Sequence, residues 1–361
     1  MPKKLKLILV NFSILLIGIV LIELIFGGWF SSSNQLSNLG IIRDAKFEYD
    51  VDHLYDTENP TITYSRDKFG LRGISSFDQP STIDILTVGG STTDQRYLDD
   101  SKTWQEVLEK QYKDAGDTVN VSNAGVDGQS TYGHLKSFEL WFSKIEKLQP
   151  VFILFYVGIN DFYRVSSDSD YDNFEEIESQ SIKTQIRNKS VLYNVYRKLK
   201  GIRKAKKYDV GHHKVDFSTK KYTTTEVLDE KLLELYSEKN LEAFKSRLEK
   251  LIAYSEKMGA IPIFITQPTF LYQLRNGEIL GVEEVNYIEE TYAYNGVGYY
   301  KLLNKLNEVI KEVVYEEQVI DLTNDEDWQA EDFYDYYHMT EVGAEKLGKK
   351  IFKRLEVGIV K

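Results

Sequence analysis

From Ile83 onward the chain alternates short apolar runs with longer helix-like stretches, and this rhythm limits its fold more than any other feature. The runs are Ile83 to Val88, Val119 to Val121, Val151 to Val157, Ile261 to Ile265 and Val319 to Leu322. Strands separated by helices specify an α/β domain with a mainly parallel sheet. The helical stretches carry ordinary core signals. Leu241, Phe244, Leu248, Leu251 and Ile252 make one apolar stripe leading to Gly259, and Thr340 is placed to cap a last helix whose inner face is Val342, Leu347 and Ile351.

The N-terminus follows a different rule. Leu7 to Phe30 is almost wholly apolar, broken by Asn11, Ser13 and the single charge Glu23. As a helix it would be roughly 36 Å long, enough to cross a hydrocarbon core of about 30 Å. This predicts a transmembrane anchor over 7–30 behind a cytoplasmic tail, 1–6. Lys3, Lys4 and Lys6 flank only the N-terminal end, so the positive-inside rule puts that end in the cytoplasm and the rest of the chain outside. A cleaved signal peptide is the alternative, but the apolar run exceeds the usual length and Gly27-Gly28-Trp29 is a poor cleavage site. Residues 31–80 are polar and irregular, and read as a linker and N-terminal extension that ends by packing on the main domain, 81–361.

Composition removes several function classes. The 361 residues contain no cysteine, which excludes disulfides, thiolate catalysis and thiolate zinc sites, and leaves five histidines for any imidazole chemistry. A formal net charge of -11 argues against a nucleic-acid partner, since displacing counterions from phosphates needs a positive field. The charge is uneven: between Lys183 and Lys207 there are ten Lys/Arg residues and no Asp or Glu. That stripe is either a solvated helix face or a contact with an anionic lipid or polymer surface. It lies inside a stretch, 162–240, where the strand and helix rhythm breaks down, and which reads as an insertion serving as lid or substrate platform.

Polar constellations follow four of the strands, where ligands of open α/β sheets bind. After Ile83 to Val88 comes Gly89-Gly90-Ser91-Thr92-Thr93, a glycine turn that exposes a serine hydroxyl at a helix start. After Val119 to Val121 comes Asn123-Ala124-Gly125-Val126-Asp127-Gly128, in which Gly128, with Gly125 as rival, can bring a backbone N–H close to a reacting oxygen. Val151 to Val157 is followed by Gly158-Ile159-Asn160-Asp161, whose Asn160 amide is a second donor of that kind. After Val319 to Leu322 and an acidic loop, Asp335 stands three residues before His338, close enough to fix the imidazole tautomer and stabilise its charged form.

Each signal alone is ordinary turn chemistry, but the order Ser, Gly, Asn, Asp-His resembles the SGNH/GDSL hydrolase family over about residues 80 to 355. Phe69-Gly70-Leu71-Arg72-Gly73 also resembles a segment found ahead of the first block in membrane-anchored members. Gly90 stands where many members have Asp, and Asp94-Gln95 where a glycine is often seen. The resemblance implies a flavodoxin-like three-layer α/β/α domain and a serine esterase with no cofactor and no metal. It implies Ser91 as nucleophile, His338 as base, Asp335 as its orienter, and an oxyanion hole of Ser91, Gly128 and Asn160. With the anchor it implies an acylated surface polysaccharide or lipid as substrate, O-acetyl groups foremost. An O-acyltransferase using the same residues and a non-catalytic membrane scaffold remain alternatives. A metal site on His212-His213 with His53 or His134 is disfavoured, because adjacent histidines lack helical ligand spacing.

Overall fold

Strands that are apolar along their whole length must be covered on both faces, and a parallel sheet between helices does this. The computed structural model describes residues 3–27, 29, 36, 39–73, 79–163, 189–193, 195–196, 212–288 and 291–359. They fall into two units, Met1–Asn38 with Phe174–Gly211, and Leu39–Asn173 with His212–Lys361.

In the larger unit β1 (Ala45–Asp50) and β2 (Thr61–Arg66) form an antiparallel hairpin with Ala45 opposite Arg66. The next strands are β3 (Ile85–Gly89), β4 (Val121–Asn123), β5 (Phe152–Tyr156), β6 (Tyr222–Thr223), β7 (Ile261–Ile265), β8 (Tyr272–Arg275), β9 (Glu278–Val282), β10 (Asn286–Ile288), β11 (Tyr292–Tyr294) and β12 (Val319–Ile320). The central sheet runs β12-β7-β5-β3-β4 and every pairing in it is parallel. Counted along the chain this is the flavodoxin-like order 2-1-3-4-5, with its switch point between β3 and β5. The helices gather in two groups: Trp104–Ala115 packs on Glu341–Ile359, while Thr131–Leu140 and Gly296–Val313 both pack on Glu238–Lys257. With the sheet between them they make the three-layer α/β SGNH fold.

All five strand expectations correspond to strands, with ends displaced by a residue or two, as is usual for element boundaries. Leu241, Phe244, Leu248 and Leu251 are buried as the stripe required, and Gly259 ends its helix at φ 80°. Thr340 Oγ1 accepts from Gly343 N at 3.3 Å, a true N-cap. Val342 is a correction: it is 53% exposed, and the inner face is Ala344, Leu347, Ile351 and Leu355. Gly343 is pressed so closely on the Asp332 carbonyl that a Cβ there would lie 2.0 Å away, and this contact turns Val342 outward. Residues 45–66, read as irregular from the sequence, contain the β1–β2 hairpin.

In the smaller unit the helix Lys3–Phe26 has 24 residues and contains an 18-residue stretch with a mean hydropathy of 2.7, long and apolar enough to cross a membrane. Glu23 near its end accepts hydrogen bonds from Trp29 Nε1 (2.9 Å), Ser190 Oγ (2.7 Å), Val191 N (3.1 Å) and Leu192 N (3.1 Å). Its carboxylate thus caps the start of the short helical turn at Val191–Tyr193. Apart from residues 189–193, 195 and 196, the basic stripe 183–207 lies outside the described residues, as does much of the insertion 162–240.

Candidate active site

The site begins where β3 ends. Gly89 and Gly90 carry the chain into a single helical turn, Ser91–Asp94, so Ser91 starts that turn directly above the sheet edge. There is no room for larger residues: a Cβ on Gly89 would lie 2.0 Å from Thr93 Oγ1, and one on Gly90 would lie 2.1 Å from Asn160 Nδ2. The glycine at 90 leaves the space into which the Asn160 amide fits.

The carboxyl end of β5 supplies Asn160, in the turn Ile159–Phe162 after Gly158 at φ 129°. Asn160 Nδ2 donates to the Gln129 carbonyl at 2.7 Å, which fixes the amide against the neighbouring loop. That loop holds Gly128 at φ 76° in a turn closed by Gln129 N to Val126 O at 3.1 Å, and is tied to β3 by Val126 N to Gly89 O at 3.0 Å. The rival Gly125 has its N–H engaged by Asn123 Oδ1 at 2.8 Å, and its Cα lies against Thr93 and Asp94. Buried Asp161 accepts from Thr131 N and Oγ1 at the start of the next helix, and so joins the two loops.

The loop after β12 brings in the imidazole. His338 Nε2 is 2.8 Å from Ser91 Oγ, and His338 Nδ1 is 2.7 Å from Asp335 Oδ2. Asp335 Oδ1 also accepts from Tyr337 N (2.8 Å) and His338 N (2.7 Å), so neither oxygen is idle. Burial raises the pKa of Asp335, but the His338 charge and these hydrogen bonds outweigh it and hold the carboxyl below its usual value. Burial likewise opposes a charge on His338, yet Asp335, then Asp127 and Asp94, raise its pKa above the ordinary imidazole value. A hydroxyl, an imidazole and an ionised carboxylate in series can take the proton from the serine as it attacks an acyl carbon.

Residues 87–346 match the profile of the GDSL-like lipase/acylhydrolase family. The chain belongs to that family. Membership makes it a serine ester hydrolase. Among solved structures it is similar to a lipolytic protein of the G-D-S-L family from Desulfitobacterium hafniense, at 12% identity over 75% of this chain and 98% of that one, with a TM-score of 0.40. It is also similar to a lipase/acylhydrolase from Enterococcus faecalis (16% identity, 76% and 96% of the two chains, TM-score 0.38). A third is an acetyl xylan esterase from Geobacillus stearothermophilus (12% identity, 77% and 96%, TM-score 0.38). No curated protein matches the sequence.

Four further residues support this GDSL-like site: the sequence pattern does not mark Gln267 or Arg66, and it shows Arg72 and His212 only as members of the Phe69–Gly73 segment and of an adjacent histidine pair. Gln267, just past β7, accepts from Ile159 N at 2.7 Å and donates to Thr92 Oγ1 at 2.6 Å, bridging the turns that carry Asn160 and Ser91. Arg66 reaches Asp94 Oδ1 (2.5 Å) and the Gly125 carbonyl (2.6 Å). Arg72 reaches the carbonyls of Asp94, Gln95 (2.6 Å) and Leu98 (2.6 Å). His212 packs its ring 4.1 Å from that of His338, centroid to centroid, with Nδ1 2.6 Å from Tyr334 Oη. Burial first, then the neighbouring His338, pushes the His212 pKa down to about 3 and keeps its ring neutral. Two of the remaining three histidines lie elsewhere: His134 is buried beside Gln129, and His53 is exposed next to Asp52.

Proposed function

We propose that this GDSL-family chain is a membrane-anchored, extracytoplasmic esterase that removes a short acyl group, O-acetyl foremost, from a surface polysaccharide or lipid. The observation that carries the chemistry is the continuous relay from Ser91 Oγ through His338 to Asp335, at 2.8 and 2.7 Å. In this reading Ser91 attacks the ester carbonyl while His338 takes its proton. The Ser91 N–H, the Gly128 N–H and the Asn160 amide hold the oxyanion, and water, activated by His338, releases the acyl-enzyme. Gly128 is preferred to Gly125 because Asn123 already occupies the Gly125 N–H.

The side chains around the nucleophile support a short acyl group: Tyr97, Leu98, Tyr334 and Met339 wall the small cavity beside Ser91 and His338, and none of them leaves an extended channel in that lining. A panel of chromogenic esters assayed with the full chain in detergent tests this. Acetyl and propionyl esters should turn over at least about tenfold faster than octanoyl esters, since each pocket methylene that fits or clashes changes the rate by roughly 10–200-fold. A preference for long chains would overturn the acetyl reading, and silence toward every ester would overturn the hydrolase reading.

The placement outside the cytoplasm rests on Lys3, Lys4 and Lys6 ahead of the apolar helix. The absence of cysteine makes it directly measurable. Tyr315 is 79% exposed, so Tyr315→Cys in intact cells should react with a membrane-impermeant maleimide while Pro2→Cys does not. Labelling of Pro2→Cys alone would reverse the topology, and a mature N-terminus near residue 30 would show a cleaved signal instead of an anchor.

A further inference from the structure

We propose that the cleft has a second use: His212 and His338, with Asp335 behind them, bind a divalent ion of the zinc class that switches the enzyme off. A nitrogen of each imidazole and a carboxylate oxygen of Asp335 all lie within 4.8 Å of one another. Two ligands each about 2.0–2.1 Å from a tetrahedral zinc are roughly 3.4 Å apart, so donor atoms gathered this closely need only side-chain adjustment to close on an ion.

The surroundings match how ligating histidines are held. One nitrogen of each ring is already committed: His338 Nδ1 to Asp335 Oδ2 at 2.7 Å, and His212 Nδ1 to Tyr334 Oη at 2.6 Å. Metal-bound histidines use their second nitrogen in this manner, bonded to a carboxylate or hydroxyl that fixes ring orientation, which leaves Nε2 to the ion. The backbone fixes His212 as well. Val215 N donates to the Tyr334 carbonyl at 2.7 Å, and Phe217 packs on Phe270 and Tyr336 at ring distances of 4.7 and 5.8 Å. Imidazole nitrogens select zinc, copper or nickel over magnesium or calcium, which prefer oxygen. Water fills the remaining positions.

The consequence for turnover is direct and rests on His338 being the base. The His338 Nε2 lone pair that faces Ser91 Oγ at 2.8 Å is the one an ion takes. The serine proton then has no acceptor, no covalent bond is made or broken, and removing the ion restores the base.

The test titrates zinc chloride against ester turnover by the full chain in detergent, starting from metal-free buffer. Activity should fall at least tenfold at micromolar zinc, return with a chelator, and ignore millimolar magnesium. Each variant is compared with its own metal-free rate: His212→Gln should raise the zinc midpoint by about 100-fold, and Tyr334→Phe, which keeps the ring and loses the hydroxyl, by about 10-fold. Calorimetry of zinc chloride into Ser91→Ala reads binding without turnover. One site should appear there and vanish in the Ser91→Ala, His212→Gln double variant. An active enzyme that zinc leaves untouched, or inhibition that survives His212→Gln unchanged, would overturn the inference and leave the esterase reading standing. Absence of metal-free turnover with zinc still bound at His212 would overturn the esterase reading instead.

Discussion

Ser91→Ala and His338→Ala should each lower kcat on a short ester by about five to six orders of magnitude, with circular dichroism and Tm unchanged. The two groups share one proton and act as a unit, so the double variant should lose little more than either single one. Asp335→Asn keeps the shape but holds the imidazole in the wrong tautomer, and should cost about 10⁴. Removing the Asn160 amide takes away one donor of the proposed oxyanion hole and should cost about 10²–10³. A fluorophosphonate should label Ser91 in the wild type and in Asn160→Ala, and should fail on Ser91→Ala. Undiminished turnover in Ser91→Ala or His338→Ala would remove the assignment, and an inverted ranking of Asp335 and Asn160 would mean a different base.

The second large effect is on stability. Arg66 and Arg72 are 5% and 3% exposed, and Arg66 is paired with Asp94, Arg72 with Asp100. Removing one partner of a buried pair costs about 3–5 kcal/mol when the other charge is left alone; Asp100 would lose its guanidinium, while Asp94 would keep only the longer ion pair with Arg96 at 3.5 Å. Arg72→Ala also strips donors from the carbonyls of Asp94, which ends the Ser91 turn, and of Gln95 and Leu98, which follow it. Arg66→Ala and Arg72→Ala should therefore lower Tm by roughly 5–15 °C. At temperatures where each variant remains folded, kcat should fall as well, because the loop behind Ser91 loses its support. A Tm within a degree of wild type in both variants would show that the pairs contribute nothing net.

How much of this was legible in the sequence follows from the range of each interaction. The strands at Ile83 to Val88 and Val151 to Val157 announced themselves because burial on both faces leaves few polar positions, none in the second and only Asp84 and Thr87 in the first. Ser91 and Asn160 could be singled out because each stands just past the end of such a strand, where a parallel sheet collects its chemistry, and His338 because Asp335 stands three residues before it in the loop that follows the last strand. The stripe at Leu241 to Leu251 was legible from period alone, whereas Val342 was not, since its helix is rotated by the tertiary contact of Gly343 with Asp332. Gln267, Arg66, Arg72 and His212 act on partners distant in sequence, such as Gln267 on Thr92 and Arg66 on Gly125. No local pattern encodes such a partnership. His212 was visible only as half of an adjacent pair in a polar run, and its meaning depends on Val215 docking beside Tyr334.

Arg66 and Arg72 precede residue 87, where the match to the family begins. The segment ahead of the matched region is thus not a detachable leader. A chimera joining residues 87–346 to another protein's N-terminus would inherit every residue of the Ser91–His338–Asp335 relay while losing the two guanidinium groups that brace the loop beside it. The smallest portable unit of this hydrolase is therefore larger than its family match, and a graft has to carry residues 45–72 along with it.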